Sequence, residues 1–189
     1  MRKQDRRNAY TEGVIRDAVF ELLKKKSIER ISVTEVCKLA EINRSTFYLH
    51  YMDCMDVLEK EQERFCDKLI AFMEGSKQER PIDIVEQLHR LIREDHNLYL
   101  LLMSSYHPLN SFKKFTDYAR NYLTEYMQKS CSLTREQCDW VAQYIITGSF
   151  AISLMFAEET QPDMEREEIF QTLTAQGMEG LAQRYPRRQ

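Results

Sequence analysis

The sequence is poor in the features that build a phosphate loop, a metal centre or a membrane span. Five glycines and four prolines in 189 residues leave no glycine-rich phosphate motif, and HExxH is also missing. No nucleophile–base arrangement is present, so no catalytic residue is assigned and the chain does not read as an enzyme. Five cysteines, at 37, 54, 66, 131 and 138, are odd in number and contain no CxxC pair. That excludes a complete disulfide framework and points to reduced, buried thiols in a cytoplasmic protein. His89, His96 and His107 lack the spacing of a helical ligand pair, so neither a metal nor a cofactor is expected. The longest apolar stretches, 98–103 and 145–156, are too short or too polar to span a bilayer. The basic start MRKQDRRNAY leads into no apolar segment, unlike a secretory signal. No stretch alternates apolar and polar residues for long, which argues against strands.

What is there is helix, almost throughout. Thr11 is placed to cap a first helix, with Tyr10 stapled onto Ile15. Ile15, Ala18, Val19, Leu22 and Leu23 follow the i, i+3, i+4, i+7, i+8 pattern. Ile28 and Ile31 plug that helix against the next two. Asp53 caps a longer helix over 54–75, carrying Val57, Leu58, Phe65, Leu69 and Phe72 inward and ending at Gly75 and Ser76. Pro81 opens another, with Ile82, Val85, Leu88 and Ile92 on one face. A short apolar piece at 98–103 precedes a long helix over 111–129. Thr134 and Gln137 form a capping box opening a helix to Glu158, and Asp163 caps a last one. The fold expected is all-α, with no repeat or low-complexity segment.

Residues 32–51 carry the most information. Ser32 and Glu35 form a capping box, and Val33, Val36, Cys37 and Ala40 share one face. The chain turns through Glu41 and Ile42, and Asn43 caps a second short helix with Ile42 against Phe47. Phe47 and Tyr51 go to the core. Arg44, Ser45, Thr46, Tyr48 and His50 are left facing out. Two short helices, the second outward and rich in donors, make a helix-turn-helix suited to a DNA major groove. Charge distribution agrees. Net charge is −3 overall, but residues 1–50 hold eleven Lys/Arg against seven Asp/Glu, net +4, while 51–189 are net −7. A basic head on an acidic body places one end against phosphates.

The last two helices are apolar on more than one side. Trp140, Tyr144, Gly148 and Ile152 on one, and Ile169, Leu173, Met178 and Leu181 on the other, provide a second face to bury. A second copy of the chain covers it most simply; an internal bundle helix is the other option.

Together, Thr11, Ile15, Ala18, Ile31-Ser32-Val33, Glu35-Val36, Ala40-Glu41-Ile42, Arg44-Ser45-Thr46-Phe47-Tyr48, His50-Tyr51 and Val57-Leu58 resemble the TetR family of bacterial transcriptional regulators over the first third of the chain. The resemblance implies an all-helical homodimer of about nine helices per subunit. Residues 1–52 would form the DNA-binding domain with a basic N-terminal arm, and 53–189 a helical effector-binding and dimerisation domain. It further implies that Tyr48 and His50 hydrogen-bond DNA phosphates. Two positions depart from the family pattern: Glu41 replaces a turn glycine, and Cys54 stands where a lysine is common.

On that basis two recognition helices would enter successive major grooves of a palindromic operator, about 34 Å apart. Arg44 is the candidate for guanine O6 and N7 or a phosphate clamp, and Ser45 and Thr46 for base edges. Asn43 is included with the recognition helix, Thr34 offers a phosphate contact at a helix start, and Arg6 and Arg7 form the arm. A small-molecule effector would sit against Met103, Tyr106, Phe112, Phe115, Tyr118, Tyr122 and Phe150, an aromatic wall that also suits a plain core. The function expected is a DNA-binding regulator, a repressor by the family's habit, with double-stranded DNA, a second copy and an unidentified effector as partners and no membrane. The rival is a co-regulator of the same fold that binds DNA weakly and acts by contacting another protein.

Overall fold

A computed structural model describes residues 3–76, 83–84, 87–88, 90, 110–158 and 164–187. Among the described residues there are seven α-helices: α1 (Lys3–Leu23), α2 (Val33–Leu39), α3 (Arg44–Tyr48), α4 (Cys54–Gly75), α5 (Asn110–Ser130), α6 (Arg135–Glu158) and α7 (Met164–Arg184). A 3-10 turn over Ile28–Arg30 joins α1 to α2. The expected all-α class is found; of the helices expected over 81–103, only 83–84, 87–88 and 90 are described, all of them helical.

The chain divides into two compact units, the first holding residues through Phe65 and the second beginning at Cys66. In the first, Ile15, Ala18, Val19 and Phe20 of α1 are buried, as are Val36, Phe47, Tyr51, Val57 and Leu58. Ile28 and Ile31 are buried too, so the 3-10 turn plugs the unit as its sequence predicts. Leu22 and Leu23 are only half-buried. Helix α1 starts earlier than its expected cap. Residues 3–10 contain no proline or glycine and continue as helix, so Thr11 lies inside it and its hydroxyl donates to the Arg7 carbonyl at 3.0 Å. Tyr10 is exposed, which removes the expected staple.

In the second unit, Met127 of α5, Cys131 just beyond it and Cys138 of α6 form a buried cluster, with Leu133, Val141, Met178 and Leu181 packed against it. The capping box opening α6 is in place: the Gln137 N–H donates to Thr134 Oγ1 at 3.2 Å, and the Thr134 N–H donates to Gln137 Oε1 at 3.0 Å. After α7 the chain returns to the α5–α6 turn, where the Ser132 N–H donates to the Tyr185 carbonyl at 2.8 Å. Among the described residues no helix is long and apolar enough to cross a membrane.

Candidate nucleic-acid interface

Of the two short helices that carry the candidate site, α2 is fixed at both ends by local chemistry. Ser32 and Glu35 make the full capping box at the start of α2. Glu35 also accepts from Lys26 Nζ at 2.6 Å, and this hydrogen bond, then those from Ser32, hold its carboxyl down at about 2 against an ordinary 4.5. At the other end of α2 the Ile42 N–H reaches back to the Cys37 carbonyl at 3.0 Å. That closure requires a left-handed residue between them, and Glu41 supplies it at φ 53°. A side chain in this region strains the backbone by about 1 kcal/mol.

Helix α3 is one turn long and has no stability of its own. Phe47 anchors it, fully buried, with its ring edge-on to Tyr48 at 5.6 Å and tilted against Tyr51 at 6.0 Å. This anchor turns Asn43, Arg44, Ser45 and Tyr48 outward, all exposed. Thr46 is half-buried. Asn43 occupies the capping position, but its side chain makes no capping bond, contrary to the expectation. Arg44 Nη2 lies 3.3 Å from the Tyr48 hydroxyl, and the guanidinium sits 5.9 Å from the ring centroid. Two candidate contacts therefore hold each other in the free chain.

His50 departs from the outward placement expected for it, because it turns toward Glu12 of α1. Its side chain retains only 11% exposure, with Nδ1 3.5 Å from Glu12 Oε1. Thr34, in the first turn of α2, is exposed. Arg6 and Arg7 are exposed but belong to helix α1, which runs past the start expected at Thr11; the absence of a helix breaker upstream of Thr11 is the reason. Leu49 and Met52, just beyond α3, are exposed as well, at 82% and 77%.

The segment just after α3 is held by residues that sequence reasoning passed over. Lys60 Nζ on α4 donates to the His50 carbonyl and to Asp56 Oδ2, each at 3.1 Å. The Met52 N–H donates to the same Asp56 oxygen at 2.8 Å. Lys60 also lies 4.9 Å from the Tyr51 ring centroid, and burial pushes the Tyr51 phenol up to about 12. The i, i+4 spacing of Asp56 and Lys60 was the available signal. Cys54, at the start of α4, is buried, and burial pushes its thiol up to about 11. It serves there as a packing residue.

Of the candidate effector wall, Phe115 is buried and Tyr118 and Tyr122 are half-buried on α5. Burial, then the Glu74 carboxylate, raises the Tyr118 phenol. Met103 and Tyr106 lie outside the described residues, as do the side chains of Phe112 and Phe150. On α6, Trp140 and Tyr144 are exposed, Gly148 and Ile152 half-buried. On α7, Ile169 and Leu173 are exposed. Met178 and Leu181 pack against their own chain's Met127–Cys131–Cys138 cluster, so they are not simply part of an outer face. Among the described residues no group of three His, Cys, Asp or Glu can hold a metal ion.

No family model matches the chain, and no curated protein matches it in sequence. Solved structures do share its fold. A transcriptional regulator of the TetR/AcrR family from Aquifex aeolicus VF5 superposes with TM-score 0.68 at 16% identity, covering 89% of this chain and 98% of that one. The FadR regulator of Bacillus subtilis, solved with stearoyl-CoA, gives TM-score 0.57 at 17% identity, covering 89% and 96%. The dihydroxyacetone kinase operon activator DhaS gives 0.59 at 19% identity, covering 92% and 94%. The chain thus has the all-α fold of TetR/AcrR-type transcriptional regulators.

Proposed function

We propose that this chain is a cytoplasmic DNA-binding transcriptional regulator that works as a homodimer. The observation that carries the reading is α3, a one-turn helix pinned by Phe47 that presents Arg44, Ser45 and Tyr48 to solvent. Arg44 reads guanine or clamps a phosphate, Ser45 and Thr46 meet base edges, and Asn43 flanks them. Tyr48, His50 and Thr34 fix register on the backbone, aided by Arg6 and Arg7. Residues 1–52 form the DNA-binding domain and 53–189 the effector and dimer domain. The uncovered Trp140, Tyr144, Ile169 and Leu173 support pairing of two copies through α6 and α7, with Gly148 and Ile152 on the same stripe. Phe115, Tyr118 and Tyr122 support an effector of mostly apolar character, bound differently in two dimer geometries. The sign of regulation is repression, released by that effector.

Selection from a library of random-sequence duplexes tests this. The expected result is enrichment of an inverted repeat with half-sites about 34 Å apart, bound with a steep salt dependence. Failure to retain any duplex at low salt overturns the reading.

A second reading has its own support. Glu41 places a carboxylate beside α3, and the exposed Leu49 and Met52 offer apolar area that DNA uses poorly. These favour a co-regulator that contacts another protein, for which the same selection would return nothing.

A further inference from the structure

Helix α3 is too short to hold its own orientation. The Leu49, His50 and Tyr51 N–H groups close its last turn on the Ser45, Thr46 and Phe47 carbonyls, and α4 holds the backbone that follows. Lys60 occupies the His50 carbonyl, Asp56 occupies the Met52 N–H, and the two side chains meet each other 3.1 Å apart. Asp53 completes the arrangement by accepting the Asp56 N–H at 2.8 Å. Asp56 is buried, so its carboxylate has little solvent to share, whereas the Lys60 side chain remains 44% exposed. Lys60 also covers the Tyr51 ring, which packs on Phe47. One acid and one base on successive turns of α4 therefore brace the His50 carbonyl and the Met52 N–H just beyond the recognition helix.

We infer that Asp56 and Lys60 are positioning residues for DNA recognition: they fix the end of α3 so that Tyr48 and His50 meet phosphates in register. The inference rests on the DNA-binding reading above. It goes beyond that reading by giving an acidic side chain a favourable part in binding a polyanion. Simple electrostatics gives the opposite sign, since removing a carboxylate near DNA strengthens binding. Lys60 in turn is a brace, not a phosphate contact of its own.

The test uses the full chain and the duplex enriched from the random library. Asp56→Ala is expected to weaken binding roughly tenfold despite the lost negative charge. It should also speed hydrogen exchange of the Met52 amide by roughly tenfold. Lys60→Met should weaken binding with the salt slope unchanged, and Lys60→Arg should restore it. Circular dichroism and thermal unfolding identify any variant that fails to fold, and Lys60→Met, altered at a half-exposed side chain, carries the test if Asp56→Ala does. Tighter binding by Asp56→Ala, or a salt slope reduced by about one in Lys60→Met, overturns the inference. So does faster Met52 exchange with unchanged affinity. If the unaltered chain binds no duplex, the DNA reading itself has failed and the positioning role falls with it.

Discussion

Arg64 reaches back fifty-two positions to Glu12, placing Nη2 2.6 Å from Oε2. The other oxygen of that carboxylate faces His50, so one acid on α1 touches both α4 and the segment after α3. Both partners are partly exposed, which limits the strength of the pair. A double-mutant cycle with Glu12→Gln and Arg64→Met should give a coupling of about 0.2–1 kcal/mol in urea unfolding. A larger value would mean that the pair is screened less than its exposure implies.

Glu41 separates a backbone effect from a charge effect. Glu41→Gly relieves the left-handed side chain and should stabilise the chain by about 1 kcal/mol. Glu41→Gln leaves the strain in place and should leave stability nearly unchanged. Both remove a carboxylate beside α3, so both should tighten duplex binding. Denaturant unfolding and fluorescence anisotropy on the same pair of variants read the two effects independently.

Acid should loosen the α1–α2 junction. Glu35 has a folded-state pKa near 2, well below its ordinary 4.5, because Lys26 and Ser32 hydrogen-bond the charged form. A depressed carboxylate contributes stability above its unfolded pKa and loses it as pH falls through the folded value. The unfolding midpoint in urea should therefore drop between pH 4.5 and 2. Glu35→Gln should flatten that drop, and an equal decline in both proteins would remove Glu35 as its source.

Pairing through α6 and α7 is testable on single side chains. Trp140 and Tyr144 stand one turn apart on α6 and are exposed in the lone chain. Trp140→Ala should weaken self-association by about 2 kcal/mol, roughly thirtyfold, in sedimentation velocity. Because the side chain is exposed, the thermal stability of the monomer should not change with it. Unchanged association would place the interface elsewhere.

Local signals were legible, and distant ones were not. The boxes at Ser32–Glu35 and Thr134–Gln137 and the cap at Asp53 depend on residues three positions apart, and the structure contains each of them. Thr11 failed as a cap because nothing upstream stops a helix, and a threonine within a helix can satisfy itself on its own backbone. Asn43 marked the start of α3 without using its side chain. Phe47 and Tyr51 were readable as core because they stand four positions apart on one helical face, with Ile42 placed to staple onto Phe47. The brace from Lys60 to His50, the Glu12–Arg64 pair and the placement of Met178 and Leu181 against Cys138 all depend on how helices cross. No periodicity in the sequence encodes that.

All five native thiols are buried, which has a practical use. Maleimide reagents find little to attack on the folded molecule, so a single cysteine introduced at an outward position away from α3, such as Glu63 on α4, would take a fluorophore or a nitroxide almost alone. Distances between the two labels of a dimer could then be followed directly, with and without duplex, and no native residue would need to be replaced first.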